Sequence, residues 1–333
     1  MADYAARLSE YKNKGMCGLP ETIDSARVLQ NKLKKLHELV VNSEHIVFLT
    51  GAGISTSAGI PDFRGPKGVW TLVEKDRLKE KKKRKQNAHQ NKSEVDEENT
   101  IASANCSLTK ENVQQHQGDE EELNTSKRQK GQPKFSTKDL TTPQMTSSFE
   151  KAQPTYTHRA IAQLIKSNIA HFCITQNVDG LHRRTGLERS KLAVLHGCIF
   201  TEKCEKCCQE YFRDFDVGGM SFQKTGRKCD VSTCRGDLRD TMLDWEDELP
   251  EEEFELATQH CARADLAICL GTSLRIEPAG SLPLNAKKFV IVNMQVTPKD
   301  NDAELVIRAK VDDVMSDLVR KLGVEVNGGF DSR

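Results

Sequence analysis

The chain has 333 residues, of which 37% are hydrophobic and only 5% aromatic, with 49 Lys and Arg balanced by 49 Asp and Glu. That length holds one large α/β domain with an appendage or two average domains, and the lean apolar content implies that part of the chain stays out of any core. Zero net charge excludes a uniformly basic nucleic-acid binder, and the lack of an apolar N-terminal region or of an apolar run near ~18 residues predicts a soluble, non-membrane chain.

From Arg27 to Asn42, apolar residues fall at Val28, Leu29, Leu33, Leu36, Leu39 and Val40, the stripe of an amphipathic helix that packs on a sheet. Ile46–Thr50 reads as a buried strand. It runs into "GAGISTSAGIPDFRG", where Gly51 and Gly53 allow backbone N–H groups and a helix N-terminus, capped by Ser55 or Thr56, to approach a pyrophosphate. A tight strand-to-helix connection would look the same in sequence. A redox Rossmann unit would next give a second strand and an acid about twenty residues on. The chain gives "GIPDFRGPKGVW" instead, which counts against a dehydrogenase, and the missing Walker lysine counts against ATP hydrolysis.

Residues 75–146 are rich in Lys, Glu, Gln, Asn, Ser and Thr with almost no apolar periodicity, and are expected to form a disordered, low-complexity insertion. Within it, "KEKKKRK" at 79–85 suits a nuclear import signal or a phosphate-backbone contact. It equally suits a solvated tract balanced by the acidic "SEVDEEN" just after it.

Beyond the insertion, helical patterns at Tyr156–Lys166 and Glu252–Arg263 alternate with strand-like runs at Phe172–Thr175, Leu266–Leu270 and Phe289–Asn293. That alternation predicts an α/β fold with a Rossmann-like parallel sheet covered on both faces. Open parallel sheets gather ligand groups at strand ends. There the sequence places Gln176, Asn177 and Asp179 in "TQNVDGLH", Gly271 and Ser273 in "GTSL", and Asn293 and Gln295 in "VNMQ". Amides and small hydroxyls suit ribose and carboxamide recognition. His196, in "AVLHGCIF", is placed to act as a neutral general base, whereas His182 reads as structural.

Eleven cysteines, an odd number, suggest a reducing compartment and turn clustered thiols into metal candidates. Cys204, Cys207, Cys229 and Cys234 make two knuckles that can close a tetrahedron around a structural zinc, with Cys208 as an alternative to Cys207. Cys17, Cys106, Cys173, Cys198, Cys261 and Cys269 read as packing or free thiols.

Taken together, "GAGIS…GIPDFRG", "TQNVDGLH", "LHG", the four cysteines, "LGTSL" and "IVN" resemble the sirtuin family of NAD-dependent protein-lysine deacylases. "YAARLSEYKNKGMCGLPE", "PKGVWT", "CRGDLRDTMLDWED" and "VDDVM" are similar to its class IV branch, of the sirtuin 6 type. The resemblance implies an N-terminal extension at 1–26, a Rossmann-like catalytic domain at 27–74, 147–200 and 240–326, a small zinc-binding lobe at 201–239 and a C-terminal tail at 327–333. NAD and one structural Zn(2+) per chain are the implied cofactors. It makes Ala52, Thr56, Phe63, Arg64, Trp70, Gln176, His196, Gly271, Ser273, Asn293, Gln295 and Val311 NAD contacts. His196 is the implied proton acceptor, Asn177 and Asp179 hold the ribose and nicotinamide ends, and Trp245 lines the acyl channel. The implied activity is deacylation of histone or other nuclear acyl-lysines with release of nicotinamide and O-acyl-ADP-ribose, alongside mono-ADP-ribosyl transfer. Chromatin and the nucleosome are the implied partners and the nucleus the implied compartment. A chromatin-binding scaffold with weak catalysis is the competing expectation, and oligomeric state is not specified. The insertion stands where the family has a short connection, close to the cleft.

Overall fold

The computed structural model describes residues 7–9, 15–84 and 149–327. The chain divides into two compact units, one of Met1–Val73 with Met145–Arg333 and one of Glu74–Gln144. In the first unit, α1 (Ala26–Val41) leads into β1 (Ile46–Thr50), and residues 69–84 are helical across the end of this unit and the start of the other (α2). Then come α3 (Tyr156–Lys166), β2 (Phe172–Thr175), the short α4 (Leu181–Arg184), β3 (Leu192–Val194), β4 (Thr201–Cys204), β5 (Glu210–Phe212), β6 (Lys224–Lys228) and β7 (Asp237–Asp240). The first unit ends with α5 (Glu251–Arg263), β8 (Leu266–Leu270), β9 (Lys288–Val292), β10 (Leu305–Ile307) and α6 (Val311–Lys321).

Six strands form one sheet in the order β10-β9-β8-β1-β2-β3, every pair parallel. The side-chain period of two sorts each strand between two cores. Ile46, Phe48, Ile268, Val290 and Val292 meet Leu33, Leu36, Ile161 and Leu318 from α1, α3 and α6 on one face. Val47, Leu49, Ala267, Cys269 and Ile291 meet Ala257 and Cys261 of α5 on the other. A sheet buried on both faces explains why its strands are continuous apolar runs in sequence. β3 and β10, three residues each, carry too little pattern to be read that way. On α1, Val28 points away from the core and is exposed.

The remaining four strands form a separate antiparallel sheet, β5-β4-β7-β6, spanning Thr201–Asp240. At its centre the buried carboxylate of Glu202 accepts from Arg213 at 2.8 Å, from Arg227 at 2.7 Å and from Thr225 at 2.7 Å. Paired on all sides, it replaces an apolar core that so small a lobe cannot supply.

Residues 75–84, expected to lack structure, are helical, and residues 85–146 lie outside the described residues. Missing apolar periodicity says that a segment has no core to join, not that it has no local helix. Lys, Glu, Arg and Leu are strong helix formers, and Asp76 with Lys79 at 3.0 Å and Glu80 with Arg84 at 3.9 Å are one-turn ion pairs of the kind that supports an exposed helix. No described helix is long and apolar enough to cross a membrane.

Candidate active site

Strand order reverses its direction of growth between β1 and β8, and a crevice opens at such a switch point beyond the carboxyl ends of the strands. Here it holds a cleft of about 970 Å³. Its floor is the contact of two loops. Gly51 N–H donates to the Leu270 carbonyl at 3.1 Å, and Gly53 N–H to the Gly271 carbonyl at 2.8 Å. A Cβ on Gly53 would lie 2.8 Å from Gly271 Cα, and Gly271, at φ +57°, would put its own Cβ 2.7 Å from the Gly53 carbonyl carbon. Only glycine fits either position. In place of the expected helix N-terminus, β1 runs into two 3₁₀ turns, Ala52–Ile54 and Thr56–Ala58. Ser55 is not a cap; its buried hydroxyl turns inward to Asp179 Oδ2 at 2.6 Å.

That inward bond organises the polar side of the cleft. Asn177 Nδ2 donates to the Gly51 carbonyl at 3.0 Å and to Ser55 Oγ at 3.3 Å, tying the end of β2 to the glycine loop. Gln176 Nε2 donates to Thr272 Oγ1 at 3.2 Å, tying it to the loop after β8. Asp179 accepts from Ser55 and from the Leu181 N–H at 2.9 Å. Burial pushes its carboxyl above the usual range, and those two donors pull it back. Asp179 does not border the cleft but holds the loop behind it. Sequence reading missed Ser55 and Thr272 as members of this network, because nothing in a pattern along one strand shows which hydroxyl faces a neighbouring loop.

His196 stands on the cleft wall after β3. Its Nδ1 lies 3.1 Å from the Gln176 carbonyl, which can only accept, so Nδ1 carries the proton and Nε2 keeps its lone pair. Burial lowers the imidazole pKa to about 4 against the Gln176 bond, with Arg64 nearby adding to the lowering. The ring is therefore neutral near pH 7 and available as a base. His182 is buried instead, 3.0 Å from Thr50 Oγ1, with its pKa pushed to about 3 by burial, and sits beside His158 at 4.7 Å between ring centres.

The facing wall is aromatic. Trp70 packs on Phe63 at 4.6 Å and on Trp245 at 5.0 Å between ring centres, and the Arg64 guanidinium lies 4.5 Å over Trp70. These four residues, with Ala52, Gln176, Asn177, His196, Gly271, Ser273, Asn293 and Gln295, border the one cleft. Two of the expected contacts do not. Thr56 is exposed, its hydroxyl donating to the Gly53 carbonyl at 3.0 Å, and Val311, at the start of α6, packs against the core of the large sheet.

In the small lobe the four cysteine sulfurs lie within 4.8 Å of one another, with 3.6 Å between Cys204 and Cys234 and between Cys207 and Cys229. A tetrahedron with metal–sulfur bonds near 2.3 Å has edges of about 3.8 Å, so the set fits zinc with no position left for water. Tyr211 accepts from the Asp230 N–H and so donates its own proton to Cys229 Sγ at 3.1 Å, the kind of outer hydrogen bond that steadies a metal thiolate. Cys208, the alternative ligand in the sequence, has φ +59° and stands outside the cluster.

The chain matches the Sir2 family over residues 51–117 and 111–278. It is 40% identical over 327 residues to the NAD-dependent protein deacetylase SRT1 of Arabidopsis thaliana, covering 97% of this chain and 56% of that protein. It is 39% identical over 335 residues to the NAD-dependent protein deacetylase Sirt6 of Drosophila melanogaster, covering 97% and 86%. The chain thus spans little more than half of the plant relative. Among solved structures it is similar to a Sir2 with a p53 peptide and NAD+ (26% identity, TM-score 0.53, 88% of this chain and 99% of the other). A second likeness is Sir2Tm bound to a propionylated peptide (25% identity, TM-score 0.53, 88% and 100%).

Proposed function

The chain belongs to the Sir2 family, and on that premise we propose that it is an NAD-dependent protein-lysine deacylase with a structural zinc. The observation that carries this reading is the neutral His196, its Nε2 lone pair free, set in one cleft with the glycine floor and the Asn177 and Gln176 amides. The floor fits a dinucleotide because Gly53 and Gly271, which lack the Cβ atoms that would push the two loops apart, bring bare loop backbone to the cleft at the end of β1, where a phosphate can approach. When bound, NAD supplies an electrophilic ribose carbon with nicotinamide as its leaving group, on which the acyl oxygen of the substrate lysine is captured.

The chain's own residues do the rest. Gln176 holds the His196 tautomer through its carbonyl while its amide is fixed by Thr272. Nε2 then takes a proton from a hydroxyl in the cleft, which general-base catalysis requires to be within hydrogen-bond reach. Asn177 is held at the cleft edge by Gly51 and Ser55, and Asp179 acts through Ser55. Phe63, Arg64, Trp70 and Trp245 screen the site from water, which strengthens each polar contact inside it.

An acetyl-lysine peptide incubated with the protein is expected to lose the mass of its acyl group only when NAD is supplied. A peptide that instead gains the mass of ADP-ribose would mark transfer to a protein acceptor, the second activity that the same bond cleavage allows. A peptide that binds and keeps its acyl group would favour the scaffold.

The proposal extends to acyl-lysines of histones or other nuclear proteins, with chromatin as partner and the nucleus as compartment. The basic run at 79–85 supports this, and its residues 79–84 form an exposed helix. Replacing Lys79, Lys81, Lys82 and Lys83 with alanine in a fluorescent fusion is expected to shift the protein to the cytoplasm, and unchanged nuclear signal would sink that part of the proposal.

A further inference from the structure

Gln295 borders the cleft, but its amide nitrogen is turned away to two backbone carbonyls: Leu19 O at 2.6 Å and Arg64 O at 3.3 Å. Both partners only accept, so the nitrogen, not the oxygen, must face them. The Arg64 carbonyl accepts a second bond, from the Gly18 N–H at 2.9 Å. Three separate pieces of chain therefore meet at one oxygen: the N-terminal strap at 18–19, the loop that carries Arg64, and the segment after β9.

Each piece is fixed from its far side. The Arg64 loop is folded on Asp62, whose carboxylate accepts from the Gly65 N–H at 2.9 Å and whose carbonyl accepts from the Val69 N–H at 2.9 Å. The Phe63 carbonyl accepts from the Trp70 N–H at 3.0 Å, so moving residue 64 also moves the aromatic wall. Gln295 is held by Arg308, whose Nη1 donates to the Asn293 carbonyl at 2.7 Å and the Gln295 carbonyl at 2.8 Å. The strap comes this close only because residue 18 is glycine. Its φ is +71°, and a Cβ there would lie 2.9 Å from Thr71 Cγ2.

We infer that Gln295 is a positioning residue for the cofactor gate: through the Arg64 carbonyl it latches the 62–70 loop to the N-terminal strap and so fixes where the Arg64 guanidinium and the Phe63 and Trp70 rings stand over the cleft. This assigns its amide N–H to the protein rather than to NAD. The kinetic arm of the inference rests on the deacylase reading; the structural arm does not.

The test is amide hydrogen exchange on the full chain without NAD, comparing wild type, Gln295→Ala and Gly18→Ala. Both variants are expected to exchange faster at residues 62–70 and 18–19 while the amides of β1 and β8 keep their protection. The chain has two tryptophans, Trp70 and Trp245, both at the cleft, so intrinsic emission should shift in both variants without cofactor. In turnover, KM for NAD is expected to rise by up to about tenfold, because cofactor binding must then supply the loop ordering that the lost latch bond gave, worth about one net hydrogen bond, with a smaller change in kcat. A raised KM with exchange and emission as in wild type would make Gln295 a plain cofactor contact and overturn the inference, as would no change in any of the three. Altered exchange and emission with no turnover by any protein, wild type included, would sustain the latch and dismiss the deacylase reading alone.

Discussion

Replacing His196 with tyrosine is expected to lower deacylated-peptide formation by roughly 10²- to 10⁴-fold, the usual worth of a general base, while leaving the fold intact. The ring is half-buried on the cleft wall, and Nδ1 is committed to the Gln176 carbonyl. Nε2 is then the ring atom left to act as the base. Tyrosine fills the same space but has no lone pair of comparable basicity near pH 7.

The same geometry sets a pH expectation. Desolvation disfavours the imidazolium and holds the pKa near 4, so the protonated, inactive form accumulates only well below the ordinary value of about 6.5. A histidine-selective NMR titration should show His196 inflecting near 4, and an inflection at or above 6.5 would show that the ring is solvated and that the base is not preset. His196→Gln is the companion variant, since it keeps polarity and removes the base. Product formation in either variant within about twofold of wild type would remove His196 from catalysis.

Stripping the metal is the second large expectation. Structural zinc sites contribute about 10–16 kcal/mol of apparent binding energy in small domains near neutral pH, and that energy is folding energy. The lobe from Thr201 to Asp240 has four short strands and, beyond the Glu202 ion network, little core of its own: Cys204, Cys229 and Leu238 with the edges of Tyr211 and Cys234, while its Met220 and Phe212 pack with Phe200 and Met242 from outside it. A chelator, or Cys204→Ser or Cys229→Ser at the two buried ligands, should therefore release one zinc per chain and abolish amide protection in this sheet. The six-stranded sheet has its own two cores and should keep its protection. Cys208→Ser is the control, because Cys208 lies outside the cluster. If it were as damaging as Cys207→Ser, the assignment of ligands would be wrong.

The parallel sheet was legible because a strand buried on both faces must be apolar throughout, as Ile46–Thr50 and Leu266–Leu270 are. The cysteine cluster was legible because tetrahedral ligation restricts spacing within each knuckle. Much of the cleft was legible from the strand ends, which gave Gly53, Gln176, Asn177, His196, Gly271, Ser273, Asn293 and Gln295, whereas Ala52, Phe63, Arg64, Trp70 and Trp245 came only with the resemblance. Asp179 reads like a cleft residue along the chain, yet one residue's step beyond Val178 turns it behind the glycine loop to meet Ser55. Thr56 and Val311 lie near strand ends or motifs without facing the crevice. Gln295 shows the limit most clearly, since its partners, Leu19 and Arg64, are far away in sequence and are backbone atoms that no side-chain pattern encodes. The helix at 75–84 was missed for another reason: composition reports burial, while local helix propensity operates without it.

The central claim is that the cleft cuts NAD in order to remove an acyl group, and it is tested most directly by counting both products of one reaction. With NAD and an acetyl-lysine peptide, the wild-type chain is predicted to release nicotinamide and deacylated peptide in a ratio of one to one, with neither formed when the other substrate is left out. Nicotinamide released without deacylated peptide, or NAD converted to its reduced form, would contradict it.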